Sequence, residues 1–514
     1  MLVLESKCAN ILFFASAPSY SHQSMYQPVW KELSLRGHKV VAITPNPLRD
    51  STLTNLTEID MSSMYETIKK LVPKQGLQKL LEKPSFFMVF RKDPIMTYLF
   101  SKYSELFFQH ENMQKFLKED RQFDVVVEEW IYPTFAALGA KYNAPLIGIS
   151  SLGAPIPALD TVGNPSHPVY APDHNLPVGR DMTFRERLMS GLWAVYVRVL
   201  YHLVVLPRED ALARKYLGDD LPYLGDIERN VSLILLNRNP VFHRVMPMVP
   251  TVIELGYMNR SQTKKEMDPE LKSFMDNSKR GVIYFSLGSS IPPSSMAKPI
   301  LNAIINTFVN IPYDVVFKWD AAEFERPKHI LLRKWVPQST LLAHPNLKLF
   351  ITQGGLQSSD EAIINHVPII GIPFQSDQHS NVDTLEKYGM GKMLDYEDIT
   401  EERLTKLIHE ITSNKSYKEN AVKLFKLYID HPKGAVEKAV WWIEYVIRNK
   451  GATHLRSASM DIPWYQYLML DVIGFLIMVF AAIILINIVL IKLIIKFALI
   501  VFRRYKNIKN KKNN

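Results

Sequence analysis

The run from Trp335 to Gln378, WVPQSTLLAHPNLKLFITQGGLQSSDEAIINHVPIIGIPFQSDQ, constrains the fold more than any other stretch of the chain. Leu347–Thr352 is short and rich in β-formers. Gly354 and Gly355 make a tight turn, and a helix is expected from Ser358 to about Asn365. Pro368–Pro373 then reads as an apolar strand of the kind buried on both faces of a parallel sheet. Strand, helix and strand in that order form a βαβ unit. Glycines at its first turn let the backbone approach a ligand, and the unpaired N–H groups of a helix start favour an anion such as a diphosphate. The turn is neither G-x-G-x-x-G nor G-x-x-x-x-G-K-[ST], so it is not read as a dinucleotide fingerprint or a P-loop.

The same alternation appears at the start of the chain. Asn10–Ser16 is a strand, Ala17–His22 a loop, Ser24–Arg36 a helix closed by Gly37, and Lys39–Thr44 the next strand. Residues 50–120 read as helical and amphipathic. Phe123–Val127 is a buried strand with Glu128 and Glu129 at its carboxyl end, before an apolar helix over Phe135–Tyr142 and a strand over Pro145–Ser150. Val231–Leu236 is expected to be the last strand of this half. In open α/β sheets the carboxyl ends of strands face the ligand crevice, so His22, Glu128 and Glu129 are expected there. Residues 256–280 gain charge and read as a linker. Gly281–Leu287, Asp314–Trp319 and His329–Lys334 are strands of a second half, and residues 399–450 are helical. Within the Pro-, His- and Tyr-rich region 151–225, Trp193–Pro207 is strongly apolar. It is too short to span a bilayer, which leaves a buried core segment or a surface segment that touches a membrane.

The chain has 514 residues, which favours two domains over one, and a net charge of +10. Eight of those charges lie in residues 492–514, which hold Lys492, Lys496, Arg503, Arg504, Lys506, Lys509, Lys511 and Lys512 and no acid. That placement removes a nucleic-acid reading. The tail follows Val472–Ile491, 20 residues with Asn487 the only polar one, enough for about 30 Å of helix and hence one membrane span with a cytosolic flank. Cys8 is the only cysteine, so no intrachain disulfide or cysteine-based metal cluster forms. Residues 1–9 are too short and too charged for a complete signal peptide and read as a residual or truncated one. Sequons at Asn55, Asn230, Asn259 and Asn414 permit a lumenal location.

The elements W-x-P-Q, G-G-x-x-S-x-x-E and the closing D-Q, in register across Trp335–Gln378, resemble the donor-binding signature of the UDP-glycosyltransferase family. The resemblance implies two Rossmann-like domains facing across a cleft (GT-B), an α/β fold, plus one C-terminal transmembrane helix. The expected boundaries are 1–9 for the signal remnant, 10–255 for the acceptor-binding domain and 256–280 for the linker. The UDP-sugar domain is expected over 281–450, the juxtamembrane segment over 451–471, the span over 472–491 and the basic tail over 492–514. It implies that Trp335 stacks on uracil, Gln338 bonds the uridine, and Gly354, Gly355 and Ser358 hold the diphosphate. Ser286 and Ser289, in an S-L-G-S turn, stand beside it. Glu361 would take the ribose hydroxyls, and Asp377 and Gln378 the sugar. Gln353 stands where many relatives have His; an amide still donates a hydrogen bond but carries no charge. Without the resemblance, Ser358–Glu361 is equally a capping box and Trp335 ordinary core.

Sugar transfer to a hydroxyl needs a base, stabilisation of the departing diphosphate, and alignment. His22 is the candidate base, since imidazole titrates near neutral pH, and a carboxylate on its other nitrogen would orient it. Relatives carry S-H after the first strand, matched by Ser21 and His22, and an acid, usually Asp, where this chain has Glu129. Glu128 is the neighbouring competitor, sent to the opposite face by strand alternation. No Asp-x-Asp occurs, so no metal and no cofactor is expected; the UDP-sugar is a co-substrate. The implied reaction is inverting transfer of a hexosyl group, glucose as in invertebrate members, to a small lipophilic acceptor, with glucuronic acid the other donor sugar. A silent membrane-anchored carrier or regulatory subunit of the same fold, and a transferase dedicated to one endogenous lipid, stay open at this point. The lysines near the C-terminus resemble an endoplasmic-reticulum return signal, and a homo-oligomer is compatible with the sequence.

Overall fold

The computed structural model describes residues 8–71, 86–179, 181–258, 266–288, 291–320 and 323–512. These form two compact units, one ending at Ser457 and one beginning at Ala458.

The first unit holds two parallel sheets. One has seven strands in the order β3-β2-β1-β4-β5-β6-β7. They are β1 (Asn10–Phe14), β2 (Lys39–Thr44), β3 (Leu56–Asp60), β4 (Val125–Glu129), β5 (Leu146–Ser150), β6 (Leu233–Leu236) and β7 (Val252–Glu254). The other has six, in the order β10-β9-β8-β11-β12-β13. They are β8 (Val282–Ser286), β9 (Asp314–Lys318), β10 (Ile330–Arg333), β11 (Leu347–Thr352), β12 (Ile369–Gly371) and β13 (Gly391–Met393). Both sheets reverse strand order at one point, between β1 and β4 and between β8 and β11, the place where doubly wound sheets open a crevice at their strand ends.

The first sheet is buried on both faces, which is why its strands read as apolar runs. Leu12, Phe14 and Val126 face one layer with Tyr103, Phe107 and Phe135; Phe13, Val127 and Ile149 face the other with Tyr26 and Trp30. The helix Ala435–Asn449, counted by sequence with the second half, buries Ala439, Val440 and Ile443 in that second layer. It therefore crosses back onto the first sheet, and Glu444 pairs with Arg36 there.

Several elements differ from the sequence reading. Residues 50–120 include the strand β3, which is short, mostly half-buried and carries Glu58 and Asp60, so neither periodicity stands out. β7, only three residues long, follows the strand expected to be last. The segment read as linker holds the helix Pro269–Asp276, capped by Asp268 and anchored by buried Leu271 and Met275; residues 259–265 lie outside the described residues. The expected helix Phe135–Tyr142 is a 3-10 turn, Pro133–Ala136, followed by the helix Ala137–Lys141. The apolar run Trp193–Pro207 is neither wholly core nor wholly surface. It belongs to the helices Phe184–Leu200 and Leu206–Leu217, joined by a π turn over Tyr201–Val205. Trp193, Ala194 and Val197 are buried, while Phe184, Leu188, Leu192, Val195, Val199 and Leu203 are exposed at helical spacing.

The second unit carries the helix Leu470–Lys512, whose 43 residues are exposed along the apolar stretch. It continues past the expected span at Ile491, because Lys492 and Lys496 are isolated within further apolar residues and nothing in the sequence breaks the helix. By length and composition it is a candidate membrane span.

Candidate active site

At the first switch point the ends of β1 and β4 meet the helix Tyr20–Leu35. That helix begins four residues earlier than the sequence reading placed it, so His22 sits in its first turn rather than on a loop. The reason is local. The Gln23 side-chain amide donates to the carbonyls of Ala15 and Ala17 (3.2 and 2.7 Å), which folds the first turn down over the end of β1.

Alternation along β4 separates its two glutamates. Val125 and Val127 face the Trp30 layer and Glu129 follows them; Val126 faces the aromatic layer and Glu128 follows it. Glu129 is fully buried and fully engaged. One of its oxygens accepts from the Ala17 N–H at 2.6 Å; the other lies 3.0 Å from His22 Nδ1 and accepts from the Tyr26 hydroxyl at 3.2 Å. Since an ionised carboxylate only accepts, His22 carries its proton on Nδ1 and presents Nε2 as the basic nitrogen. Tyr26 lies one turn beyond His22 on the same helix face, and its oxygen also accepts from the Ser151 N–H at 2.8 Å. Burial, chiefly, and the charge of Glu129 raise the Tyr26 phenol well above its ordinary range, so it stays a donor.

Behind Glu129, Gly148 on β5 makes room for Trp130. A Cβ at Gly148 would meet the indole at 2.7 Å, so that position holds the strand end in place only as glycine.

His22 stands at the mouth of a cavity of about 530 Å³. Its walls include Ile68, Phe100, Trp130, Tyr132, Val197 and Leu200, and Ser376 closes it from the second half. The volume and apolar walls suit a small lipophilic molecule.

At the second switch point, Gly354 takes φ +77°, and a Cβ there would meet Val382 at 2.2 Å; the turn depends on glycine for both reasons. The following helix spans Leu356–Ile364 with Gly355 at its N-cap and no side-chain cap. It therefore starts two residues before the expected Ser358. Ser358 and Glu361 consequently make no capping box: Glu361 is in the middle of the helix, and its Oε2 accepts from Gln338 Nε2 at 2.7 Å. Gln338 also donates to Ser358 Oγ at 3.0 Å and accepts from Tyr284. Trp335 is 50% exposed, so it is not core. Ser286 ends β8 and accepts from the Gly288 N–H at 3.4 Å; Ser289 lies outside the described residues. Gln353 is buried against Gly288, and its Oε1 has no partner among the described residues. Gln378 is turned inward, its Oε1 accepting from the N–H groups of Phe374 and Gln375 at 2.8 and 3.1 Å. Asp377 accepts from Asn381 at 2.8 Å, and Asn381 also donates to Gly354 O at 3.0 Å, which ties Asp377 to the Gly354 turn. Burial raises the Asp377 carboxyl, against the pull of Asn381 and of nearby His174 and His22. That interaction brings Asp377 of the second half within electrostatic reach of His22 of the first.

Sequence reasoning missed Tyr26, Gln23, Asn381 and Lys318. Lys318 ends β9, its charge is disfavoured by burial, and its Nζ donates to Gly288 O at 2.8 Å. A lysine at the carboxyl end of a strand was the available signal.

Comparison with known proteins follows this geometry. The family model described as "UDP-glucoronosyl and UDP-glucosyl transferase" matches residues 9–512. The chain is 34% identical over 489 residues to UDP-glycosyltransferase UGT5 of Dactylopius coccus, covering 93% of this chain and 90% of that one. It is 32% identical to the ecdysteroid UDP-glucosyltransferase of Spodoptera littoralis nuclear polyhedrosis virus, covering 91% and 94%. It is 29% identical to UDP-glucuronosyltransferase 2B33 of Macaca mulatta, covering 93% and 91%. Among solved structures, the glycotransferase of kitacinnamycin superposes with a TM-score of 0.57 at 19% identity, covering 86% of this chain and 99% of that one. That likeness is one of fold, the GT-B arrangement.

Proposed function

The chain belongs to the UDP-glucuronosyl and UDP-glucosyl transferase family, and from that premise we propose that it moves glucose from UDP-glucose to a hydroxyl of a small lipophilic acceptor. The observation that carries the reading is the His22–Glu129 pair at the mouth of the apolar cavity. The acceptor hydroxyl gives its proton to His22 Nε2 while its oxygen attacks the anomeric carbon. The bond to the diphosphate oxygen breaks, UDP departs, and an α-linked donor becomes a β-glycoside. Glu129 holds the ring through Nδ1 and offsets the charge of the imidazolium. No metal and no cofactor takes part in this scheme. The N–H groups of the Gly354–Leu356 turn, its helix dipole and the neighbouring Lys318 meet the leaving charge. In this reading Trp335 stacks on uracil, Gln338 bonds the uridine, Glu361 takes the ribose hydroxyls, Ser286, Ser289, Gln353, Gly354, Gly355 and Ser358 hold the diphosphate, and Asp377 and Gln378 hold the sugar.

Glucose is favoured over glucuronic acid because the sugar end is framed by an acid and an amide, which suits a neutral hexose. The insect-virus relative named a UDP-glucosyltransferase agrees with this choice. The boundaries expected from the sequence divide the roles, with residues 10–255 receiving the acceptor and 281–450 the UDP-sugar. The helix Leu470–Lys512 anchors the chain in the endoplasmic-reticulum membrane with its catalytic part lumenal and its tail cytosolic; the sequon residues Asn55, Asn230 and Asn414 are exposed, as glycan sites must be. The test is a donor panel on microsomes, UDP-glucose against UDP-glucuronic acid, with planar phenols as acceptors. Glucosides are expected; glucuronides alone would overturn the choice of sugar.

A further inference from the structure

The reaction scheme leaves Glu128 unused. It is the penultimate residue of β4, on the face opposite Glu129, lines the cavity, is buried, and its Oε2 has no hydrogen-bond partner among the described residues. Two other glutamates line the same cavity, and both are engaged. Glu228 accepts the Tyr201 hydroxyl on both oxygens at 2.7 and 2.8 Å. Glu209 accepts from the Thr134 hydroxyl and lies 3.3 Å from Arg208 Nε. Burial first, and then the charges of Glu228 and Glu129, raise the Glu128 carboxyl well above its ordinary range. Asp93, on the helix Phe86–Gln109, also lines the cavity, and its Oδ2 has no partner among the described residues.

Buried polar atoms in native proteins are nearly always paired, so unpaired ones facing a cavity mark where a ligand's polar group goes. A carboxyl keeps an accepting oxygen whether or not it holds a proton, so a donor on the ligand can answer it in either state. An apolar molecule with a single hydroxyl at His22 leaves Glu128 and Asp93 unanswered at full desolvation cost.

We propose that Glu128, supported by Asp93, is a specificity site for a second hydrogen-bond donor on the acceptor, a hydroxyl or a protonated amine remote from the hydroxyl that receives the sugar. The inference rests on the reading of the cavity as the acceptor site. The preferred acceptors are therefore bifunctional: an apolar frame with a donor at each end. Either donor type satisfies the geometry; an amine also requires Glu128 to carry its charge.

The test is equilibrium dialysis of the full chain in detergent micelles with three matched phenols: one bearing only the phenolic hydroxyl, one with a hydroxymethyl group at its far end, and one with an aminomethyl group there. Wild-type protein is expected to bind at least one bifunctional phenol about tenfold or more tighter than the plain one, the order that one net hydrogen bond supplies. Glu128→Leu is expected to remove that preference. Glu128→Gln, which keeps the size and an accepting oxygen, is expected to keep a preference for the hydroxymethyl ligand and lose one for the aminomethyl ligand. Equal affinity of wild-type protein for all three ligands overturns the proposal, as does an unchanged preference in Glu128→Leu. If the leucine variant does not fold, the loss or persistence of amine preference in Glu128→Gln decides for an amine, and Asp93→Asn decides for a hydroxyl. Binding is read without turnover. A preference with no sugar transfer leaves this site standing and removes the transferase reading, and transfer with no preference does the reverse.

Discussion

Replacing Glu129 with glutamine removes one charge and keeps the shape. Its consequence can be worked from three contacts. The Ala17 N–H sits 2.6 Å from one carboxylate oxygen and needs an acceptor. Glutamine must therefore put its carbonyl there, which turns its NH₂ toward His22 Nδ1. The imidazole then has to accept at Nδ1 and hold its proton on Nε2, the tautomer that cannot take a proton from an acceptor. The electrostatic loss adds to this. With Nδ1 and Oε1 3.0 Å apart, the charge centres of an imidazolium and a carboxylate lie about 4 Å apart and attract by about 4 kcal/mol at an effective dielectric constant of about 20. At about 1.4 kcal/mol per decade that is roughly three orders of magnitude, within the range of about 10²–10⁴ for a disabled general base. Glu129→Gln should thus lower kcat for an alcohol acceptor about a thousandfold and leave KM for UDP-glucose unchanged, because Glu129 lies outside the donor half. Glu129→Asp, which keeps the charge, should recover part of the rate. The assay is steady-state glucoside formation with a simple alcohol. A kcat within a few-fold of wild type in Glu129→Gln refutes the reasoning.

Three other outcomes are expected. Glu361→Ala should weaken UDP binding by calorimetry, since the ribose hydroxyls lose their acceptor; unchanged affinity in both Glu361→Ala and Glu361→Gln would mean that its bond to Gln338 is only structural. Burial, and then Glu209, raise the Glu228 carboxyl to about 8 against the hydrogen bond from Tyr201. Its folded value thus lies above its unfolded one, the folded state keeps a proton that the unfolded state gives up, and stability falls as pH rises from about 4.5 to about 8. Glu228→Gln should make that fall in Tm shallower, though Glu128, raised by the same burial, keeps part of it; an unchanged slope would contradict the assignment. Protease added to sealed microsomes should remove the basic tail alone, and digestion of the catalytic unit would reverse the topology.

The parts of the fold visible in the sequence were those where burial leaves a long signature. The strands around Leu12, Val126, Ile147 and Phe350 are buried on both faces and read as apolar runs. β3 and β7 escaped because a five-residue strand that is mostly half-buried and a three-residue strand carry no period. At the site, the resemblance joined His22 to Glu129 and grouped Gln338 with Ser358 and Glu361, and the structure brings each set within hydrogen-bond reach. The helix starts were misread because both lack a side-chain cap: Ser19 and Gly355 stand at N-caps that make no side-chain bond. Tyr26 and Asn381 were illegible because their roles depend on contacts 103 and 27 residues away. The Trp193–Pro207 run misled for another reason. Apolar composition signals burial in water, and here one face of the helix is buried while Val195, Val199 and Leu203 are not.

The most direct measurement is transfer by His22→Ala to an alcohol, with UDP-glucose binding measured on the same preparation. A phenol is acidic enough to react in part without a base and an alcohol is not. The account predicts that alcohol glucoside formation falls to background, that phenol transfer is depressed but detectable, and that UDP-glucose binding is unchanged. Normal turnover on the alcohol in His22→Ala would contradict it.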